Sequence, residues 1–272
     1  MSDLILTSTQ NGVTTLTMND PRRLNGWTRE TMDELAAAFA RASEDEGTKA
    51  LVLTGTDPYY SAGVNLSGTI QLTHPRTLRD GIIESNEALF NLFLDFDKPI
   101  LAAMNGPAIG APVTSATLCD AIVASENATF STPFARLGVT PEGCSSVHLP
   151  RLIGAESAER MLGKEGWKPT AAEALEVGFV NEVVAHDALL GRAQALAEEW
   201  VAAGRTRSFR AGATREELKA INARESEALG NAFLAPKFLM GQYRFLKSKK
   251  KYGPALTFLG LRVTRPAWSL LL

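Results

Sequence analysis

Three short stretches of the 272-residue chain hold residues that could do chemistry. Glu142 stands in Thr140-Pro-Glu-Gly-Cys-Ser-Ser, a carboxylate between proline and glycine and therefore on a turn. Phe130, Phe134, Leu137 and Val139 precede it. Buried among such residues, its carboxyl would titrate above the ordinary range and serve as a proton-transfer base. Left in water, it is an ordinary turn acid or a helix N-terminal acid beside Ser145 and Ser146. The second stretch is Ser61-Ala-Gly-Val-Asn-Leu, where Gly63 lets the backbone bend sharply and approach a ligand closely. The third is Gly110-Ala-Pro, followed by the helical run Val113–Leu118. Proline fits the first helical position, which would leave the Ala111 N–H free at a positive helix end, where an anion is favoured. Two donors of this kind aimed at one point form an oxyanion hole. Taken alone, each stretch also reads as an ordinary tight turn.

Other reactive side chains have less to work with. Lys247-Ser-Lys-Lys-Lys, with Lys247, Lys249 and Lys250 and with Arg244 upstream, is the one dense basic cluster; it suits phosphates or a solvated helix face. His74, His148 and His186 have no acid or nucleophile at suggestive spacing and read as structural or exposed. Cys144 has no histidine partner and reads as packing, and Ser61 lacks the glycine-flanked elbow of a hydrolase. No Cys/His spacing suggests a metal.

These stretches must be positioned by regular elements. Leu4–Thr9 and Val13–Met18 are β-rich runs joined by Asn11-Gly12, a hairpin signal. Thr31 and Glu34 predict a capping box for a helix whose buried face carries Met32, Leu35, Phe39 and Ala42. Ala50–Gly55 and Pro99–Met104 are buried strands, and Ala121–Ala124 and Ala128–Phe130 are shorter ones. Between them, residues 78–95 predict a helix with Ile82, Ile83, Leu89, Phe90 and Phe93 inward. Strands alternating with helices to about residue 185 imply an α/β layered core; residues 187–272 read as helices only. The apolar stretch Pro254–Leu272 is broken by Arg262 and Arg265 and predicts a buried or intersubunit helix, not a span.

Composition narrows the partners. Apolar residues make up 45% and charged ones 21%, as in an ordinary globular protein, and a net charge of −2 offers no general field for nucleic acid or an anionic membrane. Two cysteines and no signal-like N-terminus point to a reduced, cytoplasmic setting.

Several motifs resemble one family. Ser61-Ala-Gly-Val-Asn-Leu is similar to the S-A-G-x-D-L segment of the enoyl-CoA hydratase/isomerase (crotonase) superfamily, and Lys98-Pro-Ile-Leu-Ala-Ala-Met-Asn-Gly-Pro-Ala-Ile-Gly to its K-P-x-I-A-A-x-N-G-x-A-x-G segment. Cys119–Ser125, Ala128–Phe130 and Ala171–Val180 stand where the family has similar runs. The resemblance implies a core of ββα units wound into a spiral (residues 1–200) that carries the active site. It also implies a helical C-terminal region (201–272) that forms a homotrimer or hexamer. The substrate would be an acyl-CoA thioester, with no further cofactor and no metal. Its enolate oxygen would be held by the backbone N–H groups of Val64 and Ala111. Ala62, Gly63, Asn65, Leu66 and Gly110 would border the substrate, and Lys247, Lys249 and Lys250 would meet the CoA phosphates.

The two glutamates of the family's hydratases would fall at Thr114 and Phe134, which disfavours hydration. Thr132–Ser146 instead resembles peroxisomal-type Δ3,Δ2-enoyl-CoA isomerases, where the acid at the place of Glu142 works alone. Departures are Asn65 for the usual aspartate, Pro112 for a glycine common at that place, the altered stretch Gly163–Pro169 and a longer C-terminus. Alternatives are another crotonase-type reaction, such as a degenerate hydratase or a thioester hydrolase, and a catalytically silent acyl-CoA-binding protein.

Overall fold

Six strands form one sheet in the computed structural model, which describes residues 3–65 and 73–272. Strands β1 (Ile5–Gln10) and β2 (Val13–Met18) form an antiparallel hairpin. Asn11 and Gly12 both take positive φ (51° and 80°), the twist that a two-residue hairpin turn needs. The chain then crosses through α1 (Arg29–Glu44) to β3 (Ala50–Gly55) and through α2 (Pro75–Asp95) to β4 (Ile100–Met104), each new strand parallel to the last. With β6 (Ala121–Ser125) and β8 (Glu182–Val184) the order becomes β1-β2-β3-β4-β6-β8. A second, two-stranded parallel sheet pairs β5 (Ala108–Ile109) with β7 (Phe130–Ser131), and α3 (Ala111–Thr117) starts where β5 ends.

Successive side chains of a strand face opposite ways, so each strand feeds two cores. On one face Val13, Ala50, Val52, Leu101, Ala103 and Val123 meet Leu189, Ala193, Ala197 and Trp200 of α8 (Leu189–Ala202). On the other, Leu16, Leu51, Leu53, Ile100, Ala102 and Ile122 lie against Leu35 and Phe39 of α1 and Phe90 and Phe93 of α2. Coverage on both faces is what the unbroken apolar run of β3 requires. Short helices α4 (Phe134–Leu137), α5 (His148–Ile153), α6 (Ala155–Leu162) and α7 (Ala171–Glu176) follow β7.

The last third of the chain is helical: α9 (Arg215–Phe233) packs along α2, while α10 (Pro236–Ser248) and α11 (Tyr252–Trp268) share a separate cluster around Phe238, Leu239 and Phe258. The loop before α9 is pinned by the buried pair Arg207–Asp120. Arg207 also donates to Leu118 O (2.6 Å), and Asp120 accepts the Ile100 N–H (2.8 Å), so both ions have the added bonds that burial demands.

Three local details differ from expectation, and for the C-terminal helix the intersubunit alternative is the one that remains. The cap of α1 is Thr28, whose hydroxyl accepts the Thr31 N–H at 3.2 Å; Thr31 itself is buried, and Glu34 is engaged by the Leu4 N–H at 2.9 Å. Pro112 occupies the second helical position, because Gly110 is the cap and Ala111 the first residue of α3. Ile82 and Ile83 are only partly buried, while Asn86 and Leu94 take inward places on α2. Finally, α11 buries only Ala255 and Phe258 within this chain, and Tyr252, Leu256 and Val263 are at least 60% exposed. Among the described residues no helix is long and apolar enough to cross a membrane.

Candidate active site

The two glycine turns meet. Ser61 bridges to Ala108, and the Ile109 N–H donates to Ser61 O at 3.0 Å. Gly63 (φ 89°) comes so close that a Cβ there would lie 2.4 Å from Ile109 O. Only glycine fits both that angle and that approach. The Ser61 hydroxyl donates to Asn25 O (2.6 Å) and accepts the Gly63 N–H (3.2 Å), so it clips the turn and is no free nucleophile. On the outer side Trp27 donates to Gly63 O and accepts the Asn65 N–H, framing Val64 from its flanks; the Ala62 N–H is spent on Leu24 O. Gly110 (φ 69°, ψ −129°) donates to Ser131 O and turns the chain into α3. Among the described residues neither the Val64 N–H nor the Ala111 N–H has a hydrogen-bond partner. Both are donors that an incoming oxygen could use. Leu66 lies outside the described residues.

Glu142 follows from a different construction. Gly143 and Cys144 both take positive φ (66° and 65°), and Gly143 lies flat on Phe90, whose ring carbon would be 2.4 Å from a Cβ there. The Ser145 hydroxyl closes the turn by donating to Glu142 O at 2.6 Å. The Asn86 amide on α2 donates to the Glu142 carboxylate at 2.7 Å, and Asn86 in turn accepts from Ser226 Oγ of α9 at 2.9 Å. Burial pushes the Glu142 carboxyl up to about 7; the Asn86 bond pulls it down, and the charge of Glu225 adds to the rise. A carboxyl poised there can both take and return a proton near neutral pH. Ala111, Phe90 and Cys144 belong to one buried cluster on this face of the sheet, with Val64 packed on its edge.

The remaining candidates stand elsewhere. Lys247 ends α10 over the Tyr243 ring, and Lys249 and Lys250 follow it into solvent. No described hydrogen bond or ion pair links these lysines to the turns. Cys144 is buried and donates to Leu218 O. His148 is buried against Thr117 O, and burial lowers it to about 4, so it is neutral. His186 does have partners that the sequence spacing concealed: Asp57 at 2.9 Å and Ser125 Oγ at 3.0 Å. Ser125 is fully buried and accepts the Asn127 N–H, so the trio is a clasp between β6 and the loop after β3. No group of three or more metal-ligating side chains occurs among the described residues. Sequence reasoning missed Asn86, Glu225 and Ser226. Their signal was a polar residue on the inward stripe of a helix, Asn86 between Ile82 and Phe90, and Glu225 and Ser226 between Ile221 and Leu229.

Residues 8–253 match the family profile described as enoyl-CoA hydratase/isomerase. The chain belongs to that family. It is 35% identical over 257 residues to human enoyl-CoA delta isomerase 2, covering 91% of this chain and 64% of that protein. It is 38% identical over 182 residues to mouse enoyl-CoA delta isomerase 3, peroxisomal, covering 66% and 56%. The chain thus spans under two thirds of the length of these curated relatives. A crystal structure of an enoyl-CoA hydratase/isomerase from Pseudoalteromonas atlantica T6c superposes with a TM-score of 0.73 at 28% identity, over 90% of this chain and 97% of that one. The fold is therefore the crotonase one expected from the motifs.

Proposed function

We propose that this family member is an isomerase that moves the double bond of a 3-enoyl-CoA to the 2 position. The observation that carries the reading is the half-buried Glu142 carboxyl, poised near 7 on the same face of the sheet as two backbone N–H groups without partners among the described residues. The Glu142 carboxylate removes a proton from C2, and the electron pair moves onto the thioester oxygen. That oxygen, now an enolate, accepts the Val64 and Ala111 N–H groups, donors that cost no reorganisation as charge develops. The carboxylic acid then returns the proton to C4. No electrons leave the substrate, so the step needs no redox cofactor. Thr114 and Phe134 stand where a hydratase would keep its acids; the Thr114 hydroxyl is committed to Ala111 O at 3.2 Å, and Phe134 is buried. Relatives named enoyl-CoA delta isomerase support the same choice.

Two further assignments belong to this reading. Lys247, Lys249 and Lys250 contact the CoA phosphates, since they form the densest basic cluster and are exposed. The exposed apolar side chains of α11 pack against other subunits in a trimer or hexamer. The test is the ultraviolet absorbance of the conjugated thioester. Purified protein should generate it from 3-hexenoyl-CoA and leave 2-hexenoyl-CoA unchanged, and Glu142→Gln should lose about 10²–10⁴-fold in turnover. Loss of absorbance from 2-hexenoyl-CoA with none gained from the 3-isomer would make the protein a hydratase.

A further inference from the structure

A second buried carboxyl lies behind the turn that carries Glu142. Glu225, on α9, is 6% exposed. One of its oxygens accepts both the Ser146 N–H (2.8 Å) and the Ser146 hydroxyl. Burial pushes the Glu225 carboxyl up, and the Ser146 hydroxyl with the N–H groups of Ser146, Cys144 and Ser145 pulls it back towards the charged form. Its other oxygen is buried with no partner among the described residues, and the residue lines a cavity of about 290 Å³ with Thr140, Ser146, Ile221 and Arg224. The next residue, Ser226, holds Asn86, which holds Glu142. Two adjacent residues of one helix therefore reach the same carboxyl by separate routes.

We propose that Glu225 is a positioning residue for Glu142: it fixes the Gly143–Ser146 turn from α9 and repels the negative form of the Glu142 carboxyl. This rests on the reading of Glu142 as acid and base, but part of its test does not. The groups facing the pair come from three elements. Asn86 of α2 is uncharged. Cys144, in the turn, is kept as a thiol because burial and the Glu225 charge both push it up. Arg224, exposed on α9, lines the cavity, and the described residues include no ion pair from a cation to either carboxyl. Like charges so placed favour the protonated form of one partner, and that form must give up its proton before a C2 proton can be taken.

Glu225→Gln in the full chain removes the charge and keeps an oxygen for Ser146. Two measurements follow: an infrared titration of the Glu142 carboxyl without substrate, blanked in each background by Glu142→Gln, and the pH profile of kcat/KM with 3-hexenoyl-CoA. The carboxyl titration and the acid limb should both move down, by roughly half a pH unit or more. A packing role alone would lower the plateau and leave both midpoints in place, and an unmoved infrared titration overturns the proposal whatever the activity does. A moved titration in a protein whose wild type does not isomerise would sink the isomerase reading and leave the role of Glu225 standing. Ser146→Ala provides the same test should Glu225→Gln fold poorly. It withdraws one donor from Glu225, makes its charge costlier, and should move the Glu142 titration down by less; no movement there would again count against the proposal.

Discussion

The turns at Gly63–Val64 and Gly110–Ala111 and the turn at Glu142 solve the same problem by opposite means. The first two are held mainly by backbone: a strand-like bond from the Ile109 N–H to Ser61 O, Trp27 clasping Gly63 and Asn65, and a glycine in direct contact with a carbonyl, with the Ser61 hydroxyl clipping the Gly63 turn. The Glu142 turn is held by side chains sent from two helices, Asn86 from α2 and Glu225 from α9. A backbone-built donor cannot be tuned by a neighbouring side chain, and it remains ready at every pH. A carboxyl must be tuned, because its use depends on which form it holds. Rigidity suits the group that receives charge, and side-chain contacts suit the group that changes it.

The sharpest way to break this contrast is to remove a backbone donor without touching the carboxyl. Ala111→Pro deletes one N–H and should lower turnover by about 10²–10³-fold, whereas Ala111→Gly keeps the donor and should be far milder. Circular dichroism and melting temperatures must first show both variants folded. Equal turnover in the two would mean that the developing charge is not held there.

The Glu142 carboxyl also ties the stability of the fold to pH. Glu142 titrates near 7 in the folded chain against an ordinary 4.5, so the folded state binds the extra proton. The stability this gives is present below pH 4.5 and is lost as pH rises through 7. A neutral amide escapes that loss. Glu142→Gln should therefore melt higher than wild type at pH 8, by up to ~3 kcal/mol in unfolding free energy, with the gap closing towards pH 4.5. A gap independent of pH would show that the carboxyl does not titrate high.

What could be read from the sequence follows the same division. Hairpin, buried strands and both glycine turns depend on residues close in the chain, so Asn11-Gly12, Ala50–Gly55 and Gly110 announced them. The turn at Pro141-Glu-Gly was equally plain. Its supports were not, because Asn86 lies 56 residues before Glu142 and Glu225 lies 79 beyond Ser146. The misread cap of α1 has a related cause. Thr28 caps the helix, and Glu34 is taken by the Leu4 N–H, a partner 30 residues away in the chain.

Between the extremes stands Gly143, a backbone device inside the side-chain-built turn. Gly143→Ala puts a methyl into the Phe90 ring and forces alanine to a φ of 66°. Overpacking costs about 1–3 kcal/mol and left-handed strain about 1–2 kcal/mol. Chemical denaturation should show that loss, with turnover falling as Glu142 leaves Asn86. A variant as stable as wild type would show that the turn simply moves aside, and that side chains alone define its position.

The smallest effect is the most discriminating, because neighbouring residues should act with opposite sign. Ser226 donates to Asn86 Oδ1, fixing the amide whose N–H in turn holds the Glu142 carboxylate. That last bond favours the charged form, so weakening it raises the Glu142 titration further. Ser226→Ala should thus move the acid limb of kcat/KM up, whereas Glu225→Gln moves it down. The loss of one buried donor costs about 1 kcal/mol in stability, and the shift is a few tenths of a pH unit because Asn86 is loosened and not removed. Plateau turnover should change little. If both variants shift the limb the same way, α9 acts on Glu142 through general loosening of the turn and not through two separate routes.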